Sequence, residues 1–293
     1  MNRGAEEITS IAPRDQFGTA RALAARRHEI IIAEVRTRGS VRVSELAQLL
    51  SVSDMTVRRD LDTLDALGAL EKVHGGATLC DERTTNEPGF EAKFARNLAE
   101  KTAIAHVCVQ MVRPGTAIGL TAGTTTYRLA TLLLDVADLT VVTNGMRIAE
   151  FFHQSPRADR TVLLTGGVRT PSDALVGPVA VQMLKSFHFD TVFMGVHGIS
   201  ERGGYTTPNM LEAETNRAYV AAAAHLVVIA DHTKWNVTGL CTIAPLDRAR
   251  TLVTDAQISK SAHQFLQGQV PNLVVVDSAE PSNQPQDLQM SKG

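Results

Sequence analysis

Two short helices joined by a tight turn constrain the first quarter of this chain most strongly. Residues 41–43 form a β-prone run, Ser44 is placed to cap the first helix, and that helix is expected to end at Ser51. Ser53 is the predicted N-cap of the second helix, whose first turn contains Asp54, a favourable residue near the positive end of the helix dipole. Apolar residues recur at helical spacing in the first helix at Leu46, Leu49 and Leu50. This pattern predicts a helix-turn-helix.

The second helix has one apolar face and one face that is free for other contacts. Its apolar residues, which Gly68 follows as a stop signal, are Val57, Leu61, Leu64 and Leu67. At about 100° per residue, Thr56, Arg58 and Arg59 point away from that stripe. A hydroxyl and two guanidinium groups in this position can meet base edges and phosphates, so we predict a DNA-reading helix.

Neighbouring segments are expected to complete a small core around the two helices. Asp60 falls near the buried side of the second helix, and we expect it to pair with Arg26 or Arg27. A hairpin is predicted over 70–79 with a glycine turn at 75–76, and a wing of this kind commonly lies along the DNA backbone or minor groove. A preceding helix contributes the apolar residues Leu23, Ile30, Ile31 and Val35.

An ordinary helical hairpin on a protein surface is the alternative interpretation. Paired arginines on exposed helices are common, and residues 21–79 hold nine Lys or Arg against eight Asp or Glu, so there is no broad basic patch. The DNA-binding prediction therefore depends on the order and spacing of the capped helices, the arginines and the glycine turn.

Composition limits the class of protein further. A length of 293 residues favours about two domains, and 44% hydrophobic residues are enough for a sizeable core. A net charge of −2 argues against a protein that coats nucleic acid indiscriminately, so DNA affinity is expected from a confined surface. Three cysteines without a C-x-x-C spacing fit neither a disulfide framework nor a zinc site. We expect a cytoplasmic protein with no metal and no cofactor.

Neither a signal peptide nor a membrane span is predicted. The first twenty residues lack an apolar core, and the longest apolar stretch, 219–230, is interrupted by His225 and is too short to cross a bilayer.

The rest of the chain alternates apolar runs with polar or glycine-rich corners and helical stretches. Such alternation predicts a mostly parallel sheet flanked by helices. A mobile loop is expected at 203–207, before a helix that starts near 209–212. Because ligands of open α/β sheets bind beyond the carboxyl ends of the strands, the corners are expected to converge on one crevice. The apolar runs are 117–120, 139–142, 162–164, 192–194, 226–230, 252–253 and 273–276.

The corner Gly123-Thr124-Thr125-Thr126 is the strongest candidate for ligand binding. A glycine turn after a strand exposes backbone N–H groups at the start of a helix, and the helix dipole and the hydroxyls attract an anion such as phosphate. The alternative is that Thr124 or Thr125 is only an N-cap. Lys234 could neutralise a negatively charged ligand or form a surface ion pair. Further candidates at the corners are Thr121, Asn144, Gly166 and Gly167.

The two parts together closely resemble the DeoR family of bacterial sugar-metabolism transcriptional regulators, over roughly residues 20 to 256. In the first part the resemblance rests on Val43-Ser44-Glu45-Leu46-Ala47, Val52-Ser53, Thr56-Val57-Arg58-Arg59-Asp60-Leu61, Leu64, Gly68-Ala69-Leu70 and His74-Gly75-Gly76-Ala77. In the second part it rests on Lys101, Gly123-Thr124-Thr125, Thr143-Asn144, Gly166-Gly167, Asp231, Lys234 and Thr254-Asp255, among others.

The resemblance implies a winged helix-turn-helix followed by an α/β sensor domain similar in fold to ribose-5-phosphate isomerase. It also implies a repressor that a phosphorylated sugar or related metabolite releases from double-stranded operator DNA. The residues predicted to bind DNA are Ser53, Thr56, Arg58, Arg59 and His74. The residues predicted to bind the effector are Thr121, Gly123, Thr124, Thr125, Thr126, Asn144, Gly166, Gly167 and Lys234.

Domain limits and assembly follow from the same patterns. We predict disordered tails and a linker around two domains, with boundaries at 1–20 for the first tail, 21–79 for the DNA-binding domain, 80–92 for the linker, 93–276 for the effector-binding domain and 277–293 for the second tail. A homo-oligomer is expected, because two small readers held together bind DNA more tightly than one.

Two departures from the family pattern leave the effector open. Thr121 stands where the family usually has Asp, and Asn216 stands where Lys is common, so an altered or unphosphorylated ligand remains an alternative. The alternative function is a sugar-phosphate isomerase-like enzyme, in which Glu212 or Glu214 would move a proton. Carboxylates on a helix face are expected to be solvated, and Thr121 cannot act as a base near neutral pH. We therefore predict a regulator and not an enzyme.

Overall fold

Helices and strands are described for residues 16–66, 70–73, 75–78 and 89–277 in a computed structural model of the chain. The chain divides into two units, Met1–Glu82 and Arg83–Gly293, which we call the reader unit and the α/β unit. His74 and the segments 67–69 and 79–88 of the predicted reader and linker lie outside the described residues.

The described part of the reader unit contains three helices and a small antiparallel sheet. Its elements are α1 (Gln16–Arg38), β1 (Ser40–Arg42), α2 (Val43–Leu50), α3 (Asp54–Ala66), β2 (Glu71–Val73) and β3 (Gly76–Thr78). Strand β3 lies between β1 and β2, and β2 and β3 form the hairpin predicted around the glycine turn. Helices α2 and α3 pack as the predicted helix-turn-helix, with the hairpin as its wing.

The caps of α2 and α3 agree only in part with those predicted from the sequence. Ser51 ends α2 in the left-handed conformation, and Ser53 Oγ accepts a hydrogen bond of 3.3 Å from the backbone N–H of Thr56, which confirms Ser53 as the cap of α3. The prediction that Ser44 caps α2 is wrong. The helix already begins at Val43, because β1 leads directly into it and the Val43 N–H donates to the carbonyl oxygen of Gly75 at 2.9 Å.

The core of the reader unit lies between α1, α2, α3 and the sheet. Two predicted core positions lie outside it, since Leu49 is 52% exposed and Ile30 is 37% exposed. The faces that contain Leu46 and Ile31 are the buried ones. The buried residues of this core are Ile31, Val35, Val41, Val43, Leu46, Val57, Leu61, Leu64, Leu70 and Ala77.

A buried carboxylate joins α3 to α1. The Arg27 guanidinium donates two hydrogen bonds to Asp60, at 2.7 and 3.0 Å, and His28 lies 3.1 Å from the same carboxylate. The predicted pairing of Asp60 is thus confirmed for Arg27, one of the two basic residues considered. Burial alone would raise the pKa of Asp60, but the hydrogen bonds and charges of Arg27 and His28 outweigh it and hold that pKa below its usual value.

The α/β unit contains seven helices and twelve strands among its described residues. Its helices are α4 (Phe90–Phe94), α5 (Leu98–Val109), α6 (Thr124–Leu132), α7 (Met146–Gln154), α8 (Pro178–Leu184), α9 (Met210–Ala222) and α10 (Lys260–Gln267). Its strands are β4 (Ala117–Leu120), β5 (Thr140–Thr143), β6 (Thr161–Leu164), β7 (Val168–Arg169), β8 (Leu175–Val176), β9 (Phe189–Gly195), β10 (Gly198–Ser200), β11 (Gly204–Thr207), β12 (Ala223–Ile229), β13 (Cys241–Ala244), β14 (Thr251–Asp255) and β15 (Asn272–Val276).

Seven of these strands form one parallel sheet in the order β15-β14-β12-β9-β4-β5-β6. Each of the seven apolar runs in the sequence overlaps one of them, which confirms the predicted mostly parallel sheet. Helices α5, α6 and α7 supply the apolar layer on one face, and α8, α9 and α10 supply the layer on the other. Both faces of the sheet are therefore buried, as the continuous apolar runs require.

Three segments differ from their predicted character. Residues 203–207 are not a mobile loop, because β11 is buried along its length between β10 and β13. Residues 16–20 of the predicted first tail belong to α1, and residues 90–92 of the predicted linker belong to α4. The pairing of β11 with β13 joins residues that are distant in sequence, so local composition could not reveal it.

The strand order reverses at β4. From β4 the chain places β5 and β6 on one side, and it later places β9, β12, β14 and β15 on the other side. At such a switch point the loops that follow the two neighbouring strands leave in opposite directions and open a crevice at the carboxyl ends. The crevice between β4 and β9 is therefore the position at which this fold offers a ligand site.

Replacing Asp60 with Asn tests the link between α3 and α1. We expect the free energy of unfolding of the reader unit to fall by about 2 kcal/mol at neutral pH, because the Arg27 guanidinium loses its charged acceptor. Since folding lowers the pKa of Asp60, this stabilisation is present above about pH 4 and is lost as the pH falls through the folded-state pKa. Urea unfolding of wild type and variant, at neutral pH and at an acidic pH below the folded-state pKa of Asp60, measures this difference in stability. An equal difference at acidic and neutral pH would contradict the assignment.

Candidate DNA-binding and effector sites

Helix α3 presents two arginines to solvent. Arg58 and Arg59 are exposed, and neither guanidinium forms an ion pair with a described residue. Three other basic side chains of the reader unit are paired, since Arg27 bonds Asp60, Arg38 contacts Glu34 and Lys72 contacts Asp62. Arg58 and Arg59 thus keep their charge and donors available for a partner.

The remaining predicted DNA contacts have different positions. Ser53 is exposed and Thr56 is partly buried, and their hydroxyls lie 3.0 Å apart within the cap of α3. His74 lies outside the described residues. The sequence interpretation missed Met55, which is 72% exposed in the first turn of α3. An apolar residue off the buried stripe of a reading helix was the available signal, because such a side chain can contact a thymine methyl group.

The switch-point crevice brings Thr121 next to the end of β9. Thr121 follows β4 directly, is buried, and its Oγ1 accepts a hydrogen bond of 3.1 Å from the backbone N–H of Gly195. A Cβ at Gly195 would lie 3.9 Å from Thr126 Cγ2 and 4.0 Å from the carbonyl oxygen of Ala122. The ends of β4 and β9 are therefore joined through a hydroxyl group at the base of the crevice.

The start of α6 lies at the same point. Gly123 is the N-cap residue, no side chain caps the helix, and its first turn contains no acidic residue. Thr124 and Thr125 lie inside the helix and are 8% exposed, so the alternative that either is the N-cap is wrong. Thr126 is fully buried and donates from Oγ1 to the carbonyl oxygen of Gly123 at 3.0 Å. Within α6 itself, no carboxylate lies at the positive end of the helix dipole.

Asn144 holds the crevice together instead of pointing freely into it. Its side-chain oxygen accepts from the N–H of Ala122 at 2.8 Å, and its side-chain NH₂ donates to the carbonyl oxygen of Leu175 at 3.1 Å. Its backbone carbonyl oxygen also accepts from the Leu175 N–H at 2.7 Å. These bonds tie the end of β5 to the loop after β4 and to β8. The amide therefore shapes the site from its buried position.

The two glycines after β6 have different requirements. Gly166 and Gly167 both have positive φ, at 71° and 122°. A Cβ at Gly167 would lie 2.5 Å from the carbonyl oxygen of Val176, whereas a Cβ at Gly166 would meet only Val179 Cγ1 at 3.6 Å. Gly167 is therefore required by the close approach of β7 to β8, and Gly166 by backbone conformation alone.

Lys234 belongs to a charged group at the end of β12. It ends a short 3₁₀ turn over His232–Lys234, and its charge acts on the buried Asp231. Burial alone would raise the pKa of Asp231, but the charge of Lys234 and a hydrogen bond from Thr233 outweigh it and lower that pKa. Asn97 Nδ2 also donates to Asp231 at 3.1 Å. Part of the Lys234 charge is thus already compensated by the protein.

A second lysine, Lys101, lies close to this group and is buried. Its Nζ donates to the backbone carbonyl oxygens of Lys93 and Arg96, each at 2.6 Å, and so ties α5 to α4 and the turn that follows it. Burial lowers the pKa of Lys101 to about 8, although the negative charge of Asp231 acts in the opposite direction and raises it. Sequence alone marked Lys101 only as part of the family pattern and gave no sign of this role.

Two buried side-chain oxygens of the α/β unit have no hydrogen-bond partner among the described residues. They are Thr207 Oγ1 at the end of β11 and Asn216 Oδ1 in the middle of α9. Both residues are almost completely buried, at 1% and 2% exposure. A buried polar atom without a partner costs folding free energy, so each such atom requires an explanation.

A separate surface cavity of about 330 Å³ lies beside the edge strand β6 and the end of α7, three strands from β9 and outside the switch-point crevice. Its arginines are engaged, since Arg157 bonds Asp159 and Arg160 donates to the carbonyl oxygens of Leu133 and Leu134. Its lining residues are Ala149, Phe152, His153, Pro156, Arg157, Arg160, Val162 and Leu164.

A helix-turn-helix with a β wing, followed in the same chain by a doubly wound parallel sheet, is the architecture of a DNA-binding transcriptional regulator with a sensor domain. Sequence comparison gives the family. The model of the DeoR-like helix-turn-helix domain matches residues 27–83, and that of the DeoR C-terminal sensor domain matches residues 96–256. This chain belongs to the DeoR family of transcriptional regulators, as its motifs predicted.

Individual relatives agree with this assignment. A protein of Escherichia coli O157:H7, named as an aga operon transcriptional repressor, is 36% identical over 234 residues, which cover 79% of this chain and 86% of the relative. The transcriptional regulator GolR of Listeria innocua is 34% identical over 244 residues, which cover 82% of this chain and 94% of GolR. These relatives are regulators and are not named as enzymes.

Among solved structures, ribose 5-phosphate isomerase A of Methanocaldococcus jannaschii aligns with a TM-score of 0.34 and 15% identity, over 46% of this chain and 53% of that chain. The alignment is remote, and the family assignment rests on the sequence comparisons. Within the described residues, no helix combines the length and the apolar character that crossing a membrane requires.

Alanine substitutions at the two glycines test their different roles. We expect Gly167→Ala to lower the free energy of unfolding by about 3 kcal/mol, because its Cβ would collide with the Val176 carbonyl oxygen in addition to the strained φ. Gly166→Ala, at a φ of 71° that a side chain tolerates better than the 122° of Gly167 and with no collision, is expected to cost about 1 kcal/mol. Urea denaturation gives both values. Equal losses for the two variants would show that the close approach of β7 to β8 is not the constraint.

Proposed function

We propose that this protein is a repressor of carbohydrate-metabolism genes that a phosphorylated sugar or a related metabolite releases from operator DNA. The observation that carries the DNA-binding part is the pair of exposed guanidinium groups on a capped reading helix whose opposite face is buried. Action on genomic DNA agrees with the predicted cytoplasmic location. Relatives named as repressors support the sign of regulation.

Base and phosphate contacts are assigned to α3. Arg58 and Arg59 supply bidentate donors, and Met55, exposed one turn earlier, offers an apolar contact to a thymine methyl group. The hydroxyls of Ser53 and Thr56 orient the first turn of α3. His74, in the predicted wing, stays a proposed backbone contact. Because the whole chain has a net charge of −2, this confined surface must provide most of the electrostatic affinity.

The double variant Arg58→Ala/Arg59→Ala tests the DNA assignment. We expect the affinity for the best-binding duplex selected from a random pool to fall about a hundredfold or more, because two bidentate donors are lost. The slope of log K against log salt should decrease by up to about 2, since each lost phosphate contact contributes roughly 0.9. Fluorescence anisotropy titrations at several salt concentrations measure both effects.

The matched control is Arg113→Ala/Arg202→Ala, which removes two exposed arginines from the α/β unit and changes net charge by the same amount. It should bind DNA like wild type. Both double variants should keep the wild-type circular dichroism spectrum, because all four side chains are exposed. Unchanged DNA affinity in the Arg58/Arg59 variant would reject the assignment.

The effector is assigned to the crevice between β4 and β9. An anionic group fits the uncapped start of α6, where the hydroxyls of Thr124 and Thr125 add donors to the backbone N–H groups. Lys234 adds a positive charge at the end of β12, two strands away. Of the other predicted effector residues, Asn144 and Gly167 act in this proposal through the shape of the loops. A phosphorylated metabolite meets these requirements better than a cation or an apolar compound.

Effector binding must favour a form of the protein that binds DNA poorly, since equal affinity for both forms would shift nothing. Helix α4 begins inside the predicted linker, at Phe90, and is held by α6, the helix at whose start the anion is placed. Tyr127 of α6 contacts the rings of Phe90 and Phe94 edge-on, at centroid distances of 5.8 and 5.7 Å. Arg128 lies 4.4 Å above Phe94.

These contacts support a route from the effector site to the linker through α6 and α4. A small displacement of α6 on ligand binding would act directly on the aromatic residues of α4. A homo-oligomer, which would present two readers to a two-fold symmetric operator, completes the proposal.

The variant Thr125→Val tests the anion site. We expect the affinity of inorganic phosphate and of ribose 5-phosphate to fall about tenfold, because a hydroxyl donor to the anion is lost, while DNA affinity without ligand stays at the wild-type value. Isothermal titration calorimetry and anisotropy measure the two quantities. Thr131→Val, later in the same helix, is the control, since that hydroxyl only bonds the Arg128 carbonyl oxygen. Undiminished ligand affinity in Thr125→Val would exclude the anion site.

A further inference from the structure

We propose that Asn216 determines effector specificity by binding an uncharged hydroxyl group of the ligand, so that the effector is a phosphorylated sugar or polyol and not a phosphorylated sugar acid. The inference deepens the proposed function and rests on the effector site described above. It follows from the position of Asn216, from its unpartnered amide and from the charges around it.

The position of Asn216 follows from the path of α9. Strands β9 and β12 are parallel neighbours, and α9 ends at Ala222 where β12 begins, so α9 runs from the carboxyl end of the sheet to its amino end. Asn216 lies six residues before Ala222, about 9 Å along the helix, which corresponds to roughly three residues of a strand. Side chains on a helix tilt toward its N-terminus, here toward the carboxyl ends of the strands.

Tyr219, one turn further along α9, gives an independent check on this level. Its ring lies over Gly119 of β4, where a Cβ would be 3.0 Å from Tyr219 Cδ1, and its hydroxyl lies 3.5 Å from the carbonyl oxygen of Val142. Asn216 is one turn closer to the carboxyl end than Tyr219. Its amide therefore belongs at the level where β4 ends and Thr121 follows.

The Asn216 amide is buried but not satisfied. Its oxygen has no hydrogen-bond partner among the described residues, although the side chain is 98% enclosed. Two other buried polar side chains at this end of the sheet are paired, since Thr121 accepts from Gly195 and Asn144 bonds both Ala122 and Leu175. Thr207 Oγ1, three residues before α9 begins, is likewise without a partner among the described residues, and a buried acceptor left open, such as Asn216 Oδ1, is expected to receive its donor from a ligand.

The chemistry of this donor follows from the charges near Asn216. Thr121 and Asn216 are uncharged, and Glu212, one turn before Asn216 on α9, is an acid that would repel a ligand carboxylate. Lys234 follows β12, and the buried Asp231 already compensates part of its charge. A ligand carboxylate beside Asn216 would lose water without gaining a counter-charge, which is unfavourable. A hydroxyl can donate to the amide oxygen and accept the free hydroxyl proton of Thr121. With its phosphate at the start of α6, the ligand presents a hydroxylated, uncharged end to Asn216.

The test compares matched ligands on the full-length protein. Polyol phosphates of four, five and six carbons are titrated by calorimetry beside the aldonic acid phosphates of equal length, which differ only in a terminal carboxylate. We expect the best polyol phosphate to bind wild type at least tenfold more tightly than its acid partner. In Asn216→Leu, a variant with the same number and branching of side-chain heavy atoms that cannot hydrogen-bond, that advantage should shrink by about fivefold to tenfold. Inorganic phosphate should bind both proteins equally.

Gln154→Leu makes the same chemical change at an exposed amide at the end of α7 and should leave the preference unchanged. A second variant, Asn216→Lys, places a cation beside the ligand and should shift the preference toward the acids. Tighter binding of the acids by wild type, or an unchanged preference in Asn216→Leu with phosphate still bound, overturns the specificity role and leaves the proposed anion site standing. Absence of binding by every phosphorylated ligand and by phosphate overturns the anion site and this inference with it.

Discussion

The central position of β4 is the constraint on which the α/β unit depends. Because the strand order reverses there, the corners after β4 and β9 open toward one crevice, and no other pair of neighbouring strands in the described sheet has this property. The hydroxyl of Thr121 joins the two corners through Gly195, and the uncapped start of α6 leaves the same crevice electrically positive at one end. The position of the proposed binding site thus follows from the strand order, and the individual side chains determine which ligand it can bind.

In the reader unit, three consecutive residues of α3 have two different roles, one in packing and one in DNA binding. Asp60 turns inward to Arg27 and His28, while Arg58 and Arg59 turn outward, because successive residues on a helix are about 100° apart. The inward bond fixes the angle of α3 against α1, and the outward groups gain a defined direction from it. An arginine on a loosely held helix would lose more conformational entropy on binding DNA than one on a helix that is already fixed.

Sequence patterns predicted the elements that depend on local periodicity. The apolar runs predicted all seven strands of the sheet, and the caps and glycines predicted the helix-turn-helix and its hairpin. Failures occurred where a distant partner decides the outcome. Ser44 is not a cap because Val43 bonds Gly75, and residues 204–207 are a strand because β13 pairs with them. The open amide of Asn216 could not be predicted either, since an unmet hydrogen bond is visible only in three dimensions.

Helix α9 passes into β12 without any intervening residue. Strand β12 is paired with β9 on one side and β14 on the other, so an axial shift of α9 would have to break the middle of the sheet. Asn216 consequently lies on a helix that cannot adapt to a ligand by moving along its own axis. In proteins that evolve from such a fold, new metabolite preferences would arise through substitutions of single side chains on α9. Insertions into α9 or at its junction with β12 would disrupt the sheet and would be removed by selection for folding.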